Sequence, residues 1–283
     1  MVSSERPVTF VRRTQLDSEE MARRLRISCV KMVYAASSSH LGGSLSVADI
    51  LAVLYSRILQ VDASRPRWGN RDRLLYSKGH ACAALYAVLN EVGFLSALDL
   101  ERFSRDGSLL TTHVNHKVPG VEMSTGSLGH ALPVGCGVAL AAKRRRQSWR
   151  VFVVLSDGEL DEGSNWEGML FAAQHNLDNL TIIVDYNKIQ SFGNVKDVMN
   201  LDPLGDKLKS FGLSCREIDG HSHRQIFESL SGLPAVLGKP TAVIAHTVKG
   251  KGVDFMENRL LWHYKTPSKE QLDQALEQLG AKP

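Results

Sequence analysis

Asp157-Gly158 and, thirty residues later, Asn187 mark the stretch that most constrains how this chain folds. Val151 to Leu155 is an apolar, β-branched run, which predicts a buried strand ending at Ser156-Asp157-Gly158. Trp166, Met169, Leu170 and Ala173 then fall at three- and four-residue intervals, the period of a helix with one apolar face. A second β-branched run, Thr181 to Val184, ends at Asp185-Tyr186-Asn187. Strand, helix, strand is the crossover that a parallel pair requires. Both strands then finish at one edge of the sheet, where open α/β folds bind ligands. Neighbouring strands lie about 4.8 Å apart, so Asp157 and Asn187 are placed to share one cation. A carboxylate and an amide carbonyl are hard oxygen donors suited to Mg²⁺ or Ca²⁺, with positions left for phosphate oxygens. Taken alone, however, an Asp-Gly pair after a strand is more often simply a turn.

The alternation continues along the chain. Asp17-Ser18-Glu19-Glu20 reads as a capping box opening a helix that carries Leu25, Cys29, Met32 and Val33 on one face. A second helix is predicted from Ser46, with Ile50, Leu51, Leu54 and Tyr55, and a third from about His80 to Val92. Gly126 to Gly137 marks a turn running into another helix. Ser214 to Ile218 and Thr241 to Ala245 read as strands, with Arg224 to Leu230 helical between them. Ser268 to Gln271, after Pro267 and before Gly280, frames a short terminal helix. Strands alternating with helices predict a mainly parallel sheet covered on both faces, and a single domain over residues 1–283 is the simplest account.

Composition narrows the partners. Hydrophobic content of 43% with 23% charged residues is ordinary for a soluble enzyme, and a net charge of +4 is too small to imply nucleic acid. The one basic run, Lys143-Arg144-Arg145-Arg146, reads as a solvated helix end whose cations complement the helix dipole. Cys29, Cys82, Cys136 and Cys215 form no C-x-x-C pair, which fits reduced thiols in a reducing compartment. There is no leader-like opening and no apolar run of the ~18 residues a membrane helix needs, so the expected location is cytoplasmic. His113 with His116, and His221 with His223, are metal-like pairs that lack a third ligand at zinc spacing.

The Asp157 to Asn187 block resembles the thiamine-diphosphate motif, written as G-D-G followed about thirty residues later by Asn. The resemblance implies a cation, Mg²⁺ or Ca²⁺, held by Asp157, Asn187 and the carbonyl of Ile189, with Gly158 letting the backbone approach the cofactor's diphosphate. Ser156 departs from the glycine at the first motif position. Ser39-His40-Leu41-Gly42-Gly43, Ser77-Lys78-Gly79-His80-Ala81, Thr112-His113 and Trp262-His263 resemble segments of transketolase in the same order. So do Pro119 to Glu122, Thr125 to Gly129 and Lys249 to Val253, and the likeness runs from about residue 20 to 270.

As a member of that family the chain is expected to adopt its three-layer thiamine-diphosphate-binding fold. The resemblance implies that His40, His113 and His263 contact substrate, with His80 and His263 beside the diphosphate. Gly126, Ser127, Leu128, Gly158, Glu159 and Asn187 are its further cofactor-binding candidates, and Glu162 and Glu167 candidates for a carboxylate network reaching a subunit interface. The chemistry implied is transfer of a two-carbon ketol unit between sugars or sugar phosphates. A full transketolase continues into two further domains. The chain therefore resembles the N-terminal subunit of a split transketolase, inactive alone and paired with a separately encoded C-terminal subunit in an α₂β₂ assembly. His40-Leu41-Gly42-Gly43, Gly129-His130 and Thr111 to Asn115 depart from commoner forms around the substrate channel, leaving the sugar unspecified. The rival readings are the α chain of a 2-oxo-acid dehydrogenase and a non-catalytic scaffold.

Overall fold

The computed structural model describes residues 16–282. The opening residues, read above as free of a leader, lie outside that range, as does Pro283. The chain runs through helices α1 (Ser18–Ala35), α2 (Leu41–Ser46) and α3 (Ala48–Val53) to strand β1 (Arg73–Tyr76). Helices α4 (Cys82–Glu91), α5 (Ala97–Glu101) and α6 (Ala131–Arg144) follow, then β2 (Val151–Ser156), α7 (Gly163–Gln174) and β3 (Leu180–Tyr186). The last part comprises α8 (Val195–Val198), α9 (Leu204–Ser210), β4 (Ser214–Asp219), α10 (His223–Ser231), β5 (Thr241–His246) and α11 (Lys269–Gln278).

The five strands form one sheet in the order β1-β2-β3-β5-β4, and every pairing is parallel. Because side chains alternate across a strand, the continuous apolar runs feed two cores. Phe152, Val154, Ile183 and Val243 face the layer that includes α1, α3 and α4. Val151, Val153, Ile182, Val184 and Ile244 face the layer that includes α6, α7 and α9. The result is the expected three-layer α/β arrangement, with all strand ends that carry the motif at one edge.

Three local expectations are corrected. Asp17 is the N-cap of α1 but its side chain caps nothing: Asp17 lies 3.3 Å from Arg57, and Glu20 is held by Arg23 and Arg24. Ion pairing has taken both arms that a capping box needs. The second helical segment begins at Leu41, not Ser46, directly after His40. On α7 the buried face is Asn165, Gly168, Met169 and Ala172, whereas Leu170 is 55% exposed. The reason is Gly168, whose missing side chain lets α7 approach Leu132 and Pro133 of α6 closely. The short strand β1 carries too little pattern to be read from sequence.

Candidate active site

Asp157 follows β2 and is almost fully buried. Its Oδ1 accepts from the Gly158 N–H at 2.8 Å and its Oδ2 from the Lys188 N–H at 2.6 Å. The second bond crosses from the end of β2 to the loop after β3, so the two halves of the motif meet. Asn187 is also buried; its Oδ1 accepts from the Ile189 N–H at 3.2 Å. The Ile189 carbonyl accepts from the Lys249 ammonium at 2.9 Å. Carboxylate, amide oxygen and main-chain carbonyl therefore gather at adjacent strand ends, a hard-oxygen set that fits Mg²⁺ or Ca²⁺. Two observations support that fit. A cationic group already sits on the Ile189 carbonyl, and burial, reinforced by Asp185, pushes the Asp157 carboxyl up to about 6. A buried acid of this kind gains from a neighbouring cation. A Cβ on Gly158 would meet Gln190 Cγ at 3.1 Å, so the turn is tight as well as bare.

Beneath this edge lies a charged layer that motif reading does not reveal. Lys78 and Asp185 are both fully buried and ion-paired. Lys78 also donates to the Gly43 carbonyl at 2.8 Å, while Asp185 accepts from Ser46 at 2.6 Å and from Thr247. Buried charges persist when paired and hydrogen-bonded in this way. Lys249 stands above them, pushed down to about 8 chiefly by burial, with Lys78 adding to the shift. Its ammonium also lies 3.0 Å from His263 Nδ1.

The histidines converge on the same place from four segments. Ring centroids of His40 lie 4.9 Å from His263, 5.5 Å from His80 and 6.0 Å from His113. His40 has φ +67°, unusual for a side-chain-bearing residue, and this conformation starts α2 while its N–H donates to the His263 carbonyl at 2.9 Å. Ser39 Oγ is 2.8 Å from His40 Nδ1. Burial pushes His40 down to about 4 and His263 to about 3, in both cases helped by Lys249 and Lys78. Burial also drives His80 well below its ordinary value, with Lys78 next in effect. All three are therefore neutral near pH 7. An ammonium only donates, so His263 Nδ1 accepts from Lys249 and the ring proton resides on Nε2.

The remaining candidates divide. Gly126 has φ +156° and packs against His113, where an added Cβ would lie 2.9 Å from the ring. Ser127 is exposed and the Leu128 carbonyl lies 2.9 Å from His130 Nδ1. Glu159 is fully buried, and its carboxylate accepts from Ser77, from the Gly129 N–H at 2.9 Å and from the Ser156 N–H at 3.4 Å. Its side chain thus ties the ends of β1 and β2 to the 125–129 loop, and a ligand contact would have to come from its main chain. Glu162 and Glu167 are exposed near the start of α7. The pair His221 and His223 converges on the buried Asp49, with Nδ1 of the former at 2.6 Å and Nε2 of the latter at 3.0 Å. Burial opposes ionisation of Asp49, but those bonds and the Arg26 guanidinium hold it well below the usual carboxylate range. His116 lies against Ser124 at 2.9 Å, away from any such pairing.

An open parallel sheet with a hard-oxygen donor set and neutral histidines at its carboxyl edge defines a site for a metal-bridged anionic cofactor. Comparison with known proteins makes the class specific. Residues 17–283 match the family described as "Transketolase, thiamine diphosphate binding domain". One of the two subunits of an apulose-4-phosphate transketolase from Actinobacillus succinogenes is 41% identical over 263 residues, covering 92% of this chain and 95% of that protein. A 6-deoxy-6-sulfo-D-fructose transketolase subunit from Clostridium sp. strain MSTE9 is 35% identical, covering 94% and 97%. The crystal structure of transketolase from Campylobacter jejuni superposes with a TM-score of 0.89 at 33% identity, covering 94% of this chain and 43% of that one. The chain belongs to the transketolase family and carries its thiamine-diphosphate-binding domain. It spans under half the length of the solved transketolase. Neither rival reading, dehydrogenase or scaffold, gains support from this match.

Proposed function

We propose that this chain is the diphosphate-binding subunit of a two-chain transketolase, moving a two-carbon ketol unit from a ketose to an aldose, free or phosphorylated. The observation that carries the reading is the meeting of Asp157, Asn187 and the Ile189 carbonyl beneath four converging histidines. In it, Asp157, Asn187 and Ile189 hold Mg²⁺ or Ca²⁺, and Gly158, His80, His263 and Lys249 face the diphosphate. Gly126, Ser127 and Leu128 flank the cofactor's ring. Bound there, thiamine diphosphate supplies the electron sink that lets a carbon–carbon bond beside a carbonyl break. The chain itself orients and moves protons. His40 and His263 present neutral imidazoles to sugar hydroxyls, and neutral imidazole both accepts and donates near pH 7. The Nε2–H of His263 is a donor to an oxygen atom, and the exposed His113 reaches the far end of the donor sugar.

The family match to a domain, and relatives named as subunits, support a separately encoded C-terminal partner, for which α₂β₂ is the assembly we expect. One domain accounts for residues 1–283. Among the described residues no helix is long and apolar enough to cross a membrane, and the cysteines are free; both fit a cytoplasmic enzyme. The names of the two relatives make apulose 4-phosphate and 6-deoxy-6-sulfofructose the first donors to try beside xylulose 5-phosphate. The test is co-expression with the C-terminal partner, followed by a coupled ketol-transfer assay containing thiamine diphosphate and Mg²⁺. We expect turnover that needs both chains and is lost in Asp157→Ala. Turnover by this chain alone, or an assembled pair that binds no cofactor, would refute the proposal.

A further inference from the structure

The segment that follows β5 delivers Lys249 to the site, and each of its residues is pinned by a different partner. Thr247 bonds Asp185 through its hydroxyl, and the Gly250 N–H donates to the Gly42 carbonyl at 2.9 Å. Between them, the Val248 N–H donates to Nε2 of His221 at 2.8 Å. That bond fixes the protonation of the imidazole. Because Val248 is the donor, Nε2 must be bare, so the ring proton is on Nδ1, where it faces Asp49 at 2.6 Å. Asp49 is in turn immobilised. It accepts from both terminal nitrogens of Arg26 on α1 and from His223 Nε2 at 3.0 Å, with little exposure of any of these side chains. Asp49 lies at the first turn of α3, so the imidazole is braced against the helical layer rather than against a loop.

We propose that His221 is a positioning residue for Lys249: braced by Asp49 as its Nδ1–H tautomer, it holds the Val248 amide and so aims the Lys249 ammonium at Ile189 and His263. The role of Lys249 towards the diphosphate rests on the function proposed above; the brace itself does not. His221 touches neither the candidate metal ligands nor the histidine channel. Its effect passes through one peptide group. A carboxylate–imidazole pair suits this task because the carboxylate fixes both the ring plane and the tautomer, which a lone histidine leaves free.

The test uses the full chain for the brace and the assembled two-chain enzyme for its effect. Histidine-selective ¹⁵N NMR of the unmutated chain should show His221 as the Nδ1–H tautomer at about pH 7–8, above the ordinary histidine pKa; an Nε2–H signal overturns the proposal. Two variants separate the bonds. His221→Asn keeps a donor for Asp49 but loses the acceptor for Val248, whereas His221→Gln places its amide oxygen near the Nε2 position. Hydrogen exchange of residues 247–250 should quicken in His221→Asn and recover in His221→Gln. In the assembled enzyme, calorimetry should show thiamine diphosphate binding weakened about fivefold in His221→Asn, the worth of one hydrogen bond, while kcat at saturating cofactor holds. In the double variant His221→Asn, Lys249→Met, binding should match Lys249→Met alone to within roughly twofold. Full additivity, or unchanged exchange and affinity in His221→Asn, rejects the positioning role. If the parent assembly binds no cofactor, the proposed function fails, and the tautomer and exchange results still decide the brace.

Discussion

The Lys249 ammonium donates to the Ile189 carbonyl at 2.9 Å, so a side chain 60 positions away occupies the face of the oxygen that a divalent cation would share. A cation entering between Asp157 and Asn187 must compete with that ammonium or turn it towards an incoming phosphate. Lys249→Met is therefore expected to weaken thiamine diphosphate binding by about 1.5–3 kcal/mol, the range for a hydrogen bond to a charged group. Thermal stability should change little, since removing a desolvated ammonium offsets the lost contact. Calorimetric titration and a melting curve on the same preparation read both quantities.

Gly42 tests the same geometry from the opposite side. A Cβ there would lie 2.9 Å from Lys249 Cγ and 3.3 Å from the Trp262 carbonyl. Gly42→Ala should displace the lysine stem, costing about 1–3 kcal/mol as overpacking does, and should weaken cofactor binding along with stability. Equal affinity in Gly42→Ala and the parent would mean the lysine is not where its function requires.

The buried Glu159 distinguishes bracing from ligand contact. Glu159→Ala strips partners from Ser77, Gly129 and Ser156 and should destabilise the chain by about 3 kcal/mol or more, since unpaired buried donors each cost about 1–3 kcal/mol. Glu159→Gln keeps an acceptor and should lose much less. If the side chain is a brace, cofactor affinity in Glu159→Gln stays near that of the parent; a sharp loss there would restore it as a direct contact.

Acid sensitivity has a defined sign at His40. Its neighbours are His80, His113 and His263, with Lys78 and Lys249 nearby, and burial lowers it from 6.5 to about 4. Above 6.5 neither the folded nor the unfolded chain protonates this ring, so it contributes nothing to pH dependence. As the pH falls from 6.5 towards 4 only the unfolded chain takes up the proton, and stability declines by about 1.4 kcal/mol per pH unit. Urea midpoints at pH 7, 5.5 and 4.5 should therefore fall more steeply for the parent than for His40→Gln. Parallel slopes would show that His40 is not desolvated.

Residue patterns exposed the central crossover because its strands are continuous apolar runs and its metal-binding candidates sit at their ends. They exposed the histidine segments because each carries a local motif. The charged floor was hidden for a physical reason. Lys78, Asp185 and Thr247 sit far apart in sequence, and an Asp ending a strand looks like a turn residue until tertiary packing buries it against a lysine. Asp49 and His221 are separated by 172 positions, so their bond has no signature in either segment. The face of α7 was misread because large apolar residues were weighed above Gly168, yet it is the absence of a side chain there that sets the approach to α6.

The placement of β5 between β3 and β4 has a consequence for how the protein is made. During synthesis β4 emerges before the strand that will join it to the sheet, and Lys249 and His263 emerge later still. A ribosome-bound chain that has reached the end of β4 already holds Asp157, Asn187 and Asp185, but lacks Thr247, Lys249 and the second half of the histidine cluster. Competence to hold a cofactor therefore arrives only with the final stretch of translation, and a prematurely released chain is left with an open sheet edge rather than a partial enzyme.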